Sequence, residues 1–264
     1  MREEAFQQLI CGCPSLQELH IEQLPTTNKL RFTAPNIHKL SLVFMEDNDF
    51  DDLNWSLDVP NLKSLDLEIG WIPDIIDVSS IRDVYLKELD IYVGAGDYDE
   101  KQHRRFNIFL EKFSRSEVFQ LSLNASEPFF HLVDDLHLLQ IRWKRVVLGL
   151  KILCQECLLG VYLLMRSSKK LEELDIYIDT TLWAIADLPP VELYPCVMPK
   201  LKTVTLHGYA KPWKHQLQLI EFLLKSATVL EKLVIVSNKP HELNFVMRVS
   251  SFQRSSPSAR VLFL

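Results

Sequence analysis

Apolar side chains recur along the chain in the order L-x-x-L-x-L, with Ile or Val standing in for Leu. Leu16, Leu19 and Ile21 form the first copy, then Ile37, Leu40, Leu42, then Leu62, Leu65, Leu67, then Leu86, Leu89, Ile91. After a longer gap the pattern returns at Val118, Leu121, Leu123 and, in degenerate form, at Trp143, Val146, Leu148. It continues at Leu171, Leu174, Ile176, at Leu201, Val204, Leu206 and at Leu230, Leu233, Ile235, with a frayed copy at Ala259, Leu262, Leu264. A spacing of two places the last two residues of each copy on one side of a short strand, and the residues beside them on the other. One strand cannot bury its apolar side alone, so the units are expected to stack, pair in parallel and share a core. Between them, EEAFQQLI, HRRFNIFLEKF, CQECLLGVYLLMRS and HQLQLIEFLLKSA carry apolar residues at helical spacing and predict helices on the far side. Pro14, Pro35, Pro60 and Pro199 each stand two residues before a first motif residue, where they end the preceding segment at no cost to strand hydrogen bonds.

The copies begin at intervals close to the about 20–29 residues of leucine-rich repeats, and the longer intervals imply inserted loops. The expected fold is therefore an α/β leucine-rich-repeat solenoid, with a curved parallel β-sheet on its concave face and irregular helices on its convex face. Residues 1–195 read as leucine-rich repeats, and residues 196–264 as a C-terminal segment continuing the same solenoid.

The units CPSLQELHIEQL, APNIHKLSL and VPNLKSLDL resemble the repeat region of plant F-box proteins with leucine-rich repeats. MPKLKTVTLHGYAKPWKHQLQLIEFLLKSATVLEKLVIV, Met198 to Val236, followed by SSPSARVLFL, resembles the FBD segment that ends many of these proteins. In that family an F-box binds the Skp-type adaptor of a cullin ubiquitin ligase while the repeats hold the substrate. The resemblance thus implies a non-catalytic protein-interaction module, similar to the substrate-recognition region of an SCF-type E3 ligase subunit. The chain opens inside a repeat, at FQQLICGCPSL, with no Leu-Pro-led F-box among its residues, so contact with a Skp-type adaptor depends on an F-box upstream. Two alternatives stand beside this reading. One is a stand-alone or truncated repeat protein that binds or sequesters partners without ligase recruitment; the other is a small-molecule receptor, which would need convergent Arg or Lys in a concave pocket.

The residues flanking the motif positions supply the candidate partner-binding surface: Glu18, Glu22, Asp66, Glu68, Glu88, Asp90, Tyr92, Glu173, Asp175 and Tyr177. Strands about 4.8 Å apart would gather Asp66, Glu68, Glu88 and Asp90 into one acidic patch beside Tyr92. Such a patch favours a basic protein partner, steered by the carboxylates and anchored on the ring. The competing reading is that these charges only keep an exposed sheet soluble.

Composition narrows the classes. With 47% hydrophobic and 24% charged residues the 264-residue chain has the make-up of a folded globular protein. Its 35 acidic against 29 basic side chains, a formal charge of -6, would repel a phosphate backbone, and the basic groups His103–Arg105 and Arg142–Arg145 stand apart, so no nucleic-acid binding is expected. The opening residues lack a basic segment followed by an apolar one, and the apolar stretch from Val146 to Met165 is broken by Lys151, Gln155 and Glu156. Neither a secretory signal nor a membrane span is expected, which points to the cytoplasm and/or nucleus with free thiols. Cys154 and Cys157 have the spacing of a zinc half-site that Cys11 and Cys13 could complete, but Cys154 and Cys157 also read as small hydrophobes in an apolar helical run, and Cys13 fits the buried position that leads into a repeat. His131, Asp134, Asp135 and His137 could ligate a metal, yet no further ligand arrives at matching spacing; Gly94 and Gly96 precede Asp97 and Asp99 instead of a helix start. No catalytic, cofactor or metal site, and no enzymatic activity, is expected.

Overall fold

A computed structural model of the chain describes residues 3–22, 29–43, 54–68, 74–75, 80–89, 108, 110–123, 141–150, 153, 155–178, 196–208 and 213–264. Along the chain the strands are β1 (Glu18–Glu22), β2 (Lys29–Thr33), β3 (Lys39–Val43), β4 (Asn54–Asp58), β5 (Ser64–Glu68), β6 (Asp74–Ile75) and β7 (Asp83–Leu89). They continue as β8 (Val118–Leu123), β9 (Arg145–Leu150), β10 (Glu173–Ile178), β11 (Thr203–His207), β12 (Lys232–Val236) and β13 (Arg260–Phe263). The helices are α1 (Glu3–Gly12), α2 (Gln155–Ser167), α3 (Lys214–Ser226) and α4 (Leu243–Ser250).

Ten strands form one open parallel sheet in the order β1-β3-β5-β7-β8-β9-β10-β11-β12-β13, and β2-β4-β6 form a second parallel sheet. The main sheet crosses position 196 unbroken, because β10 pairs directly with β11. Its units are joined by a recurring device. At each step from β1 to β12, two consecutive backbone N–H groups at the start of a unit donate to one carbonyl of the unit before: His38 and Lys39 to Gln17, Lys63 and Ser64 to His38, and so on to Glu231 and Lys232 on Lys202. A β-turn precedes the strand. Leu16 closes on Cys13, Ile37 on Ala34 and Leu62 on Val59, with Pro14, Pro35 or Pro60 at the second turn position that its fixed φ suits. Asn36 then donates from Nδ2 to the carbonyl of Pro14 (2.8 Å) and Asn61 to that of Pro35 (2.7 Å), tying each turn to its predecessor.

The core lies on one side of the main sheet. Leu40, Leu42, Leu65, Leu67, Val84, Leu86, Phe119 and Leu121 are buried along its inner face, each Leu contributing about 1.5–3 kcal/mol by leaving water. Trp143, fully buried, stacks on Phe119 at 4.1 Å and donates from Nε1 to the Phe113 carbonyl at 2.9 Å. Helices α2 and α3 cover the C-terminal half, as their periodicity predicts. The N-terminal connections differ from the expected helices: KLRFT, NWSLD and the short β6 pair with one another, and Leu57 joins the core from this second sheet. Alternating apolar and polar residues in these segments suit a strand, and α1 completes the layer. Gln7 of α1 pairs its side-chain amide with both the N–H and the carbonyl of Thr33 at 3.0 Å, occupying backbone groups of β2. Of HRRFNIFLEKF, residues 110–113 are helical.

Three copies sit in a different register from the expected one. In the fourth, Val84 and Leu86 align with Leu65 and Leu67, with Ile81 leading. In the fifth, Phe119 and Leu121 replace Leu121 and Leu123 in the aligned row. In the tenth, Val261 and Phe263 align with Leu233 and Ile235, because the turn closed by Ala259 on Ser256 lies one residue nearer its strand than in the other units.

Candidate interaction surface

The face of the main sheet opposite the core carries three rows of side chains set by the register. One runs Glu18, Lys39, Ser64, Asp83, Val118, Arg145, Glu173, Thr203, Lys232, Arg260. The next runs His20, Ser41, Asp66, Tyr85, Gln120, Val147, Asp175, Thr205, Val234, Leu262. A third includes Glu22, Val43, Glu68 and Lys87, then Ser122, Gly149, Tyr177, His207 and Val236.

Seven of the expected binding residues stand in these rows, and most of their charges are engaged. Glu18 lies 4.0 Å from Lys39, Glu22 2.7 Å from His20, and Glu173 3.6 Å from Arg145. Asp175, its side chain 16% exposed, receives a 2.9 Å hydrogen bond from Arg145 Nη2, and this bond raises the guanidinium pKa above its ordinary value. Asp66 accepts 2.8 Å from Lys87 Nζ. Glu68 is half-buried. Tyr177, 48% exposed, stacks flat on His207 at 4.1 Å.

The expected acidic patch is corrected at the fourth unit. The five-residue shift places Asp83, Tyr85 and Lys87 opposite Ser64, Asp66 and Glu68. Glu88 falls in the register break between Leu86 and Leu89, and Asp90 and Tyr92 lie outside the described residues. Tyr85 therefore stands where Asp90 was expected and Lys87 where Tyr92 was, and the lysine neutralises Asp66. The ring beside the carboxylates is Tyr85, whose phenol pKa is raised by burial and then by Asp83. Asp83 is itself raised, by burial first and by Glu117 second.

His207, Lys232, Val234, Arg260 and Leu262 were not singled out by the sequence pattern as binding residues, though the strand spacing alone locates the first three. Gly149 leaves a low point between Gln120's strand and Tyr177: a Cβ there would come within 2.7 Å of Ser122 Oγ. Cys13 is exposed, not buried as expected, because the turn it opens turns its side chain away from the core; Cys11 is exposed and Cys157 buried. Cys154, Gly94, Gly96 and the His131–His137 cluster lie outside the described residues. Among the described residues no helix is long and apolar enough to cross a membrane, and no group of three or more His, Cys, Asp or Glu is gathered for a metal.

A family model described as FBD matches residues 189–235, which take in β11, α3 and all but the last residue of β12. The C-terminal likeness read from Met198–Val236 is thus borne out for this segment. No curated protein and no solved structure matches the chain.

Proposed function

We propose that the chain is a protein-binding module of the leucine-rich-repeat solenoid class, working as the substrate-recognition region of an F-box subunit of an SCF-type ubiquitin ligase of plants. The observation that carries this reading is the FBD match, since FBD segments are associated with F-box proteins and suggest a protein-interaction role. The recurring turn, strand and carbonyl device supports the solenoid, and the wide outward sheet face, with Tyr177 half-exposed on it, supplies a contact surface. Broad faces of this kind bind macromolecules through a few aromatic and charged anchors. In this reading the module performs no covalent chemistry of its own: Asp66 is held by Lys87, Asp175 by Arg145, and His207 lies flat on a ring. Its place of work is the cytoplasm or nucleus.

Affinity capture with the chain, and with the chain fused to an F-box, tests the reading. Both forms should recover the same proteins, with adaptor and cullin only in the fused form, and Tyr177→Glu should lose those proteins while retaining adaptor and cullin. Recovery unaffected by outward-face substitutions overturns the face as the binding surface. Failure of the fused form to recruit the ligase while still binding partners supports a sequestering protein instead.

A further inference from the structure

We infer that the C-terminal end of the outward face, across β10–β13, binds an extended peptide segment that is acidic and carries apolar side chains. The inference rests on the protein-binding reading and gives the partner its chemistry. Strands β11, β12 and β13, TVTLH, KLVIV and RVLF, contain no carboxylate. The nearest acid along the chain, Glu231, stands one residue before Lys232 and off the outward rows. Lys232 and Arg260 are paired in register in the first row, both exposed, and neither takes part in an ion pair among the described residues. Arg145 and Lys87, by contrast, are committed to Asp175 and Asp66. Directly beside the two free cations, Val234 and Leu262 are paired in the second row, Leu262 being 40% exposed. The Tyr177–His207 stack bounds the apolar strip on its other side.

A cationic row running alongside an apolar row fits a ligand in which carboxylates and apolar side chains alternate. Carboxylates would reach the Arg260 fork and the Lys232 ammonium, and apolar side chains would cover Val234 and Leu262 and rest against the ring stack. The opposite end of the face, with Glu18, Glu22, Glu68 and Asp83, repels the same segment and so sets where along the sheet it lies.

The test is selection of a phage-displayed random peptide library on the purified, immobilised full chain, in parallel with Lys232→Glu/Arg260→Glu and Leu262→Ser variants. These positions are exposed or partly exposed, and melting by circular dichroism confirms folding of each variant. Enriched peptides should carry net negative charge and apolar residues, bind about tenfold or more weakly to the charge-reversed variant, and weaken with added salt. Enrichment of basic peptides, or of acidic peptides indifferent to Lys232 and Arg260, overturns the inference and leaves the protein-binding reading standing. Tighter binding of a single-stranded oligonucleotide than of any selected peptide overturns it in favour of a polyanion. No enrichment, with cellular capture also unaffected by Tyr177→Glu, overturns both.

Discussion

Trp143 looks like a defect in an otherwise leucine-based pattern, yet among the described residues it is the largest wholly buried side chain of the core. Its ring fills the space beside Phe119, and its Nε1 reaches the Phe113 carbonyl, which Ser116 also engages through its backbone N–H and hydroxyl. Trp143→Ala should therefore cost about 3–5 kcal/mol by denaturant unfolding. Trp143→Phe keeps an aromatic ring there and leaves that carbonyl with its other donors, so about 1 kcal/mol is expected for the hydrogen bond, plus whatever the smaller ring leaves unfilled. Asp83 gives a pH prediction. Its folded pKa is raised, so the stability it contributes is fully present below its ordinary value of 3.8 and is lost as pH rises through the folded value. Asp83→Asn should raise the melting temperature at neutral pH and leave it unchanged at pH below 3.8; an equal gain at both would mean the carboxylate charge is not the cause. The thiols separate by position. Cys11 and Cys13 should react with a maleimide at once, whereas Cys196, buried and with its thiol pKa raised chiefly by that burial, should react only as the fold opens. Mass spectrometry of labelled peptides over time reads this directly.

At the scale of strands, the apolar pattern located the ten-stranded sheet but not every register in it. SIRDVYLKELDI contains two overlapping fits, Ile81-Val84-Leu86 and Leu86-Leu89-Ile91, and apolar spacing alone cannot choose between them. What decides is polar: Ser80 donates from Oγ toward the carbonyls of Pro60 (2.8 Å) and Leu62 (2.7 Å), as Asn36 and Asn61 bond the preceding turns. A small hydrogen-bonding residue directly before the first motif position is thus the register signal in the early copies. Missing it displaced the expected site from Asp83, Tyr85 and Lys87 to Glu88, Asp90 and Tyr92, and changed the sign of the charge beside Asp66. A shift of two residues, as in the fifth copy, leaves Gln120 and Ser122 on the expected face, whereas an odd shift with no compensating bulge exchanges the faces. The corrected register has a direct check. A double-mutant cycle of Asp66→Ala and Lys87→Ala should show a coupling of about 0.2–1 kcal/mol, as for other partly exposed pairs, and no coupling would contradict the alignment.

Across the whole molecule, each strand of the main sheet is bonded only to its immediate neighbours, while the buried side chains form one continuous core. The series of carbonyls that accept the next unit's N–H groups reaches Ala259, and there Arg254 Nη1 donates instead, at 2.8 Å. That guanidinium occupies the acceptor that a further strand would use, so β13 is a guarded edge. Stability in such an array approximates a sum of unit and nearest-neighbour terms, and damage should fade with distance along the sheet. Leu121, buried in β8 with β7 and β9 on either side, is the place to apply it. Leu121→Ala removes about 2–5 kcal/mol of local packing. Native-state hydrogen exchange should then show the greatest loss of protection in β7, β8 and β9, less in β10, and little in β12 and β13, whose partners are unchanged. Equal loss across all ten strands would mean that the continuous core overrides the one-dimensional pairing and that the chain unfolds as a single unit. The graded outcome has a consequence for binding, because it would leave the Lys232–Arg260 end of the face folded while the middle of the sheet opens. Peptide binding there should then survive Leu121→Ala at temperatures where β8 has already lost its protection.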